Sequence, residues 1–338
     1  MQKIKLGIIG LGRLGRKHAE NIHYHIQNAE LTAICSVVQD ELDAVSKEMS
    51  PKYITKDYKE IIENQELDGI VIASSSQEHE IMICDAAKAG RKNVYTEKPI
   101  GMTLAEIDRI EEAVTANSGM KLQVGYNRRF DRSVQAAKKK INEGFVGKPI
   151  QIKMINRDPA SMGEFIIKFS PKSGGLVLDM LTHDYDCARW FVNSEAKSVY
   201  GLGGAYVYEG LKAVDDIDNC VVLVEFENGV MGQIETSRNC TYGYHVETEI
   251  YGSEGCIRIG TTPYKDRVTY MNPNGVTVQC VDWFFEYWEP TFLAEMQDFV
   301  DCIAEDRQPL VGLDDGYKAV EWAHATTEAV KEQKIVYL

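Results

Sequence analysis

Gly10-Leu11-Gly12-Arg13-Leu14-Gly15 follows directly on a short apolar run, Lys5-Leu6-Gly7-Ile8-Ile9, and opens a helix-like segment. Glycines at this spacing constrain the chain more than any other feature. The first permits a tight strand-to-helix turn, the second lets backbone approach a bound group, and the third lets the helix pack closely on the strand. The N–H groups that begin such a helix attract an anion. A second strand pattern, Leu31-Thr32-Ala33-Ile34-Cys35, comes at the distance this arrangement requires. The spacing therefore predicts a dinucleotide held by its pyrophosphate.

Strand and helix patterns go on alternating after that motif. Asp68-Gly69-Ile70-Val71-Ile72-Ala73, Asn93-Val94-Tyr95-Thr96 and Leu122-Gln123-Val124 read as further strands, and residues 80–89 read as a helix stopped by Gly90. Such alternation predicts a parallel sheet covered by helices. The second half differs. A helix over 131–144, a strand over 150–156 and a helix over 176–192 lead into strand patterns at 199–208, 220–226, 231–236, 246–251, 256–259, 268–271 and 276–280. Glu227-Asn228-Gly229, Gly252-Ser253-Glu254-Gly255 and Asn272-Pro273-Asn274-Gly275 separate several of them with hairpin chemistry. Helices over 292–304 and 317–331 close the chain. The expected fold is an α/β Rossmann domain over residues 1–123, then an α+β domain over 124–338 with a large, mostly antiparallel open sheet.

Composition excludes several partners. The formal net charge of −14 argues against a broad nucleic-acid face. Lys138-Lys139-Lys140 therefore reads as the solvated end of a helix. No stretch reaches the ~18 apolar residues of a membrane span. Met1-Gln2-Lys3-Ile4-Lys5 runs straight into a strand, so no signal peptide is expected. The eight cysteines are scattered with no C-x-x-C pair, which predicts buried thiols and a cytoplasmic protein rather than a disulfide framework. The aromatic cluster Trp283-Phe284-Phe285-Glu286-Tyr287-Trp288 is expected to pack in a core or a subunit interface. His18, His23 and His25 on the first helix fit no metal spacing.

NAD-type sites place Asp or Glu at the end of the second strand to meet the ribose. Here Ser36-Val37-Val38 stands there, the first acid is Asp40, and the next basic residue is Lys47. Arg13 reads either as a group reaching a 2′-phosphate or as a solvated helix residue. The expectation is NAD, with NADP not excluded.

Two segments bear chemistry. Glu97-Lys98-Pro99 lies at the C-terminal end of a parallel strand, where ligands bind in open α/β sheets. The proline restricts the Lys98 backbone, and a cis Lys98–Pro99 bond is expected to aim the lysine. Asp179 and His183 are four apart in an apolar helical stretch and so share a face. A carboxylate beside an imidazole suits proton transfer to or from an alcohol, though a structural Asp–His pair has the same spacing. Asp179, His183 and Asp186 lie along one face, but no His or Cys partner outside the helix is evident, and no metal is expected.

Gly10–Gly15, His79, Ala89-Gly90, Glu97-Lys98-Pro99, Gly125-Tyr126-Asn127-Arg128-Arg129-Phe130, Gly174-Gly175 with Asp179 and His183, and Asp314-Asp315-Gly316 together resemble the glucose–fructose oxidoreductase/inositol dehydrogenase (Gfo/Idh/MocA) family over nearly the whole chain. Within it, Arg157-Asp158-Pro159, the 179–190 stretch and Asn239-Cys240-Thr241-Tyr242-Gly243-Tyr244 look most like inositol 2-dehydrogenases. Ser36, where many members have Asp, and Ser74-Ser75-Ser76, without the usual proline, are departures. The resemblance implies that Lys98 hydrogen-bonds the reacting hydroxyl and the nicotinamide ribose, and that His183, oriented by Asp179, is the general base. It implies cofactor contacts from Gly10, Gly12, Arg13, Leu14, Gly15, Ser36, Ser74, His79, Glu97 and Lys98. Arg128, Asn156, Thr182 and Tyr242 would line a polyol pocket. A homotetramer formed through the open sheet faces is implied as well. The implied reaction is NAD(P)-dependent oxidation of a ring hydroxyl of a cyclic polyol, myo- or scyllo-inositol. A sugar or glycoside dehydrogenase and a non-catalytic dinucleotide-sensing regulator are the alternatives, and retention of Lys98, Asp179 and His183 speaks against the regulator.

Overall fold

The computed structural model describes residues 3–261 and 264–338. Two compact units are present: Met1–Phe130 with Pro290–Val320, and Asp131–Glu289 with Glu321–Leu338. The sequence pattern had suggested a single cut after residue 123. Instead the chain returns to the first unit, because Met296, Phe299 and Val300 are buried in its core with Leu6, Ile8 and Tyr95.

In the first unit, β1 (Ile4–Ile9), β2 (Ala29–Cys35), β3 (Tyr53–Thr55), β4 (Gly69–Ile72), β5 (Asn93–Thr96) and β6 (Lys121–Val124) form one parallel sheet in the order 3-2-1-4-5-6. Connecting helices are α1 (Arg13–Glu20), α2 (Gln39–Met49), α3 (Tyr58–Glu63), α4 (His79–Lys88) and α5 (Leu104–Ala116). Order and parallel pairing are those of the doubly wound fold, whose strand ends open onto ligand. The short edge strand β3 lacked an apolar run and escaped the sequence reading; Tyr53 and Ile54 on it are exposed.

The second unit opens with α6 (Arg132–Asn142), whose first N–H groups are capped by the Asp131 carboxylate, and β7 (Pro149–Pro159). Next come α7 (Phe165–Ser173), a helix with no counterpart in the sequence reading, then a π-helical turn (Val177–Leu181) that runs into α8 (Thr182–Val192). Strands β8 (Ala196–Gly204), β9 (Asn219–Phe226), β10 (Met231–Cys240), β11 (His245–Gly252) and β12 (Cys256–Ile259) follow. The expected strands at 268–271 and 276–280 do not join the large sheet. They form a separate two-stranded hairpin, β13 (Tyr264–Asn272) and β14 (Gly275–Cys280), and β14 has no buried face to lay on a core. After α9 (Phe284–Ala304) and α10 (Leu313–Glu332), β15 (Val336–Tyr337) completes a seven-stranded sheet in the order 12-11-7-10-9-8-15. Only β7 with β10 pairs parallel there; the other pairs are antiparallel.

The large sheet alternates as a half-buried sheet must. Val222, Val224 and Ile234 point inward, where Trp322 packs on Phe226 and Tyr185 with ring centroids 5.6 and 5.4 Å apart. On the opposite face Leu202, Val221, Leu223, Met231 and Tyr251 are exposed. Register pairs Leu202 with Val221, while Leu223 lies between Tyr200 and Gln233, and Met231 and Tyr251 flank Gln151. Of the aromatic cluster, Trp288 is buried and its Nε1 donates to Tyr244 Oη at 2.8 Å. Among the described residues no helix is long and apolar enough to cross a membrane.

Candidate active site

The turn after β1 has the geometry its glycines demand. Gly10 takes φ +92°, and a Cβ there would lie 2.5 Å from the Ala73 carbonyl oxygen. A Cβ on Gly15 would lie 2.0 Å from the Gly10 oxygen, so helix and loop touch backbone to backbone. Gly12 is the opposite case: its Cβ direction meets no protein atom within 4 Å. Gly12 is also the N-cap of α1 and carries no side chain to satisfy the first N–H groups of the helix. Open space and the N–H groups of a helix start fit a pyrophosphate. Arg13 at the first helical position is exposed, and Leu14 is half-buried.

Beside this loop, the Gly10 N–H donates to the Cys35 carbonyl at 2.8 Å, and Ser36 follows at the end of β2. Ser36 Oγ donates to Glu41 Oε2 at 2.6 Å and accepts the Val38 N–H at 3.1 Å. The sequence reading missed Glu41 because it looked for an acid on the strand, whereas this one comes back from the first turn of α2.

Ser74 is half-buried at the end of β4, and His79 is buried. His79 Nδ1 lies 2.8 Å from the Pro99 carbonyl oxygen and Nε2 lies 3.3 Å from that of Ser74. Burial lowers the His79 pKa against the pull of these two carbonyls, so the neutral ring with its proton on Nδ1 is favoured. His79 thereby ties the loop after β4 to the Lys98–Pro99 segment, whose peptide bond is cis, as expected.

Within Glu97-Lys98-Pro99, Lys98 is half-exposed while its neighbours are buried. The Glu97 carboxylate points into the interior. Its Oε1 is 2.6 Å from His18 Nε2 and accepts from Tyr95 Oη at 3.1 Å. Glu295 of α9 joins them; one of its carboxylate oxygens, a His18 ring nitrogen and a Glu97 carboxylate oxygen lie within 4.8 Å of one another. His18, which matched no metal spacing along its own helix, is thus grouped with two acids by the fold. Burial and the Glu97 charge push the Glu295 carboxyl well above the usual range, which makes it a neutral acid. Glu97 is also pushed up by burial, but the His18 hydrogen bond and charge outweigh this and hold it low.

Arg128 is buried in a 3-10 turn, Asn127–Phe130. The turn is anchored on both flanks: Asn127 Nδ2 donates to Thr291 Oγ1 at 2.7 Å, and Arg129 Nη2 to Asp315 Oδ1 at 2.7 Å. Asp315 also accepts the Gly312 N–H at 2.9 Å, which gives the Asp314-Asp315-Gly316 motif a structural task.

In the second unit, Asp179 and His183 are the two half-exposed positions in an otherwise buried run over residues 175–188. Asp186 is fully buried. The helix begins where Asp216 accepts the Leu176 N–H at 3.0 Å; a Cβ on Gly175 would lie 2.7 Å from that carboxylate. Asn156 is buried on β7, and its Nδ2 donates to the Met180 carbonyl at 3.2 Å and to Asp184 Oδ2 at 2.6 Å. Thr182 is fully buried with its hydroxyl on the Leu178 carbonyl at 3.0 Å. Asn156 therefore ties the helix to β7, whereas the Thr182 bond stays within the helix itself. Tyr242 is exposed; its Oη accepts from Arg157 Nη1 at 2.7 Å and lies 2.8 Å from His245 Nδ1.

Arg238 was not foreseen. It is 1% exposed, and its guanidinium reaches Asp179 Oδ2 at 2.8 Å and Asp158 Oδ2 at 3.2 Å. Its signal was available: on β10 the inward parity runs Gly232, Ile234, Thr236, Arg238, and a cation at an inward strand position requires a buried anion.

A doubly wound sheet with a pyrophosphate-type loop, a lysine at a strand end and a half-exposed Asp–His pair on a buried helix define a dinucleotide-dependent oxidoreductase. Comparison with known proteins agrees. Residues 4–126 match the oxidoreductase family with an NAD-binding Rossmann fold, and residues 134–258 match the GFO/IDH/MocA C-terminal domain. Myo-inositol 2-dehydrogenase of Thermotoga maritima is 32% identical over 99% of this chain and 98% of its own. The crystal structure of scyllo-inositol dehydrogenase from Lactobacillus casei with bound NAD(H) and scyllo-inositol superposes with TM-score 0.95 at 36% identity, covering 99% of both chains. Myo-inositol 2-dehydrogenase from Lactobacillus plantarum superposes with TM-score 0.95 at 33% identity over 100% of both. The chain belongs to the Gfo/Idh/MocA family of oxidoreductases.

Proposed function

We propose that this protein oxidises a ring hydroxyl of myo- or scyllo-inositol to the inosose with NAD. The observation that carries this reading is end-to-end similarity to inositol 2-dehydrogenases, 36% identity to the scyllo-inositol enzyme and 32% to a myo-inositol enzyme. Nicotinamide, when bound, supplies the hydride acceptor. The protein's own part is to bind, orient and move a proton. As the ring C–H leaves as hydride, the hydroxyl proton passes to the His183 imidazole, and the C–O bond becomes a carbonyl. Lys98 hydrogen-bonds the same hydroxyl and the nicotinamide ribose. Asp179, held by Arg238, orients His183. Gly10, Gly12, Arg13, Leu14, Gly15, Ser36, Ser74 and His79 build the nucleotide site, and Arg128 and Tyr242 contact the polyol. Asn156, Thr182 and Glu97 act from behind, as supports of the residues that touch substrate or cofactor.

Exposed Leu202 and Val221, paired across β8 and β9, with Leu223 on the same face of β9, support a homotetramer closed through the large sheets, since a cluster of exposed apolar side chains on an open sheet face is a candidate contact surface. All eight cysteines are free thiols, which supports a cytoplasmic setting. A panel of myo-, scyllo- and D-chiro-inositol, glucose and glucosides, assayed with NAD and NADP by absorbance of the reduced cofactor, tests the reading. Turnover of an inositol well above that of glucose is expected. Preference for a glucoside would move the protein to the sugar dehydrogenases, and no turnover with any of them would favour the sensor.

A further inference from the structure

The end of β2 carries a charge that the strand itself does not. The bond from the Gly10 N–H to the Cys35 carbonyl sets Ser36 beside the glycine-rich loop. Ser36 is 5% exposed, and both capacities of its hydroxyl are engaged: the proton goes to Glu41 Oε2 at 2.6 Å, and a lone pair takes the Val38 N–H at 3.1 Å. What this position presents is therefore a carboxylate steered by a serine. Glu41 is half-buried in the first turn of α2, which starts at Gln39. No Lys or Arg follows before Lys47 to neutralise it. In this fold, the ribose of a dinucleotide held on the loop lies at the end of the second strand.

We propose that Glu41, steered by Ser36, is the cofactor-specificity residue of this protein. Its carboxylate accepts the 2′-hydroxyl of an unphosphorylated adenosine ribose and repels a 2′-phosphate. An uncharged Ser36 alone leaves NADP open, whereas the Glu41 carboxylate discriminates strongly, because like charges at contact distance in a half-buried site oppose each other far more than in water. The inference rests on the reading of Gly10–Gly15 as a dinucleotide site, and not on the identity of the polyol.

The test is fluorescence titration of the full-length protein with NADH and NADPH, which needs no substrate and no turnover. The wild type is expected to bind NADH about a hundredfold or more tightly than NADPH. Glu41→Gln, isosteric with the carboxylate it replaces, should shrink that ratio about tenfold, or 1.4 kcal/mol, mainly by tighter NADPH binding. Ser36→Ala should move the ratio the same way by a smaller factor, since the carboxylate stays but is no longer steered. Asp40→Asn removes an equal charge from the exposed neighbouring position and should leave the ratio within about twofold. An unchanged ratio in Glu41→Gln, an equal change in Asp40→Asn, or a wild-type preference for NADPH overturns the proposal while leaving the loop as a dinucleotide site. If neither nucleotide binds the wild type, the reading of the loop fails and the proposal with it.

Discussion

Arg238 Nη2 donates to Asp179 Oδ2 across 2.8 Å, from a side chain that is 1% exposed. The same guanidinium holds Asp158 at 3.2 Å, so one buried cation fixes two carboxylates on different elements, β7 and the π-helical turn before α8. Removing it leaves two partly buried anions facing each other. Arg238→Met is expected to cost about 3 kcal/mol of stability, the scale for breaking a buried ion pair. Arg238→Lys keeps the charge but not the fork that grips two carboxylates. It should fold, keep nucleotide affinity and lose about tenfold or more in kcat. Full kcat in Arg238→Lys would show that holding Asp179 has no part in turnover.

Lys98 is half-exposed between two buried residues, on a segment clamped by His79. Lys98→Met should keep NADH affinity within a few-fold and lower turnover about a hundredfold or more, the scale of a positioned catalytic group. Single-turnover rates and fluorescence titration on the same preparation separate the two effects. Near-normal turnover would remove Lys98 from the reaction.

Oxidation requires a neutral His183, so kcat/KM for inositol should rise with pH on the acid side, and ketone reduction should fall across the same range. His183→Ala should abolish that limb. A wild-type acid limb surviving in His183→Ala would assign the base to another group.

Glu295 predicts an unusual stability profile. Burial, aided by the Glu97 charge, raises its pKa in the folded protein. An unfolded Glu loses its proton near pH ~4.3, whereas folded Glu295 keeps it, so the unfolded state binds fewer protons and stability falls as pH rises above that point. Glu295→Gln removes this penalty. Its Tm advantage over wild type should be near zero at about pH 4 and grow steadily as pH rises above that point, read by thermal melts of both proteins across the pH range. An advantage that shrinks with pH would mean that Glu295 is ionised in the fold.

The exposed Leu202, Val221 and Leu223 on the large sheet predict the oligomer. Leu223→Lys on β9 places a charge within the proposed contact. Light scattering should show a smaller species than wild type, with secondary structure retained. An unchanged mass, or a wild type that is already monomeric, would put the interface elsewhere.

Local signals were sufficient where function depends on neighbours in the chain. The turn at Gly10–Gly15, the strand-end Lys98 with its proline, and the Asp179–His183 spacing each lie within a few residues, and periodicity or glycine geometry reveals them directly. The same alternation predicts the parallel sheet covered by helices, but not the edge strand β3 that completes the order 3-2-1-4-5-6. What sequence order hides was decided by the fold. Glu41 reaches the end of β2 only because α2 turns back over it. Arg238 meets Asp179 and Asp158 from 59 and 80 positions away. Glu295 joins His18 and Glu97 because a segment beyond the second unit's sheet returns to the first core. Each is a charge or titratable group moved out of water, and burying it is tolerable only with a partner or a shifted proton. That partner is set by which elements pack together, so the sequence shows the charge and the tertiary structure alone supplies what it meets.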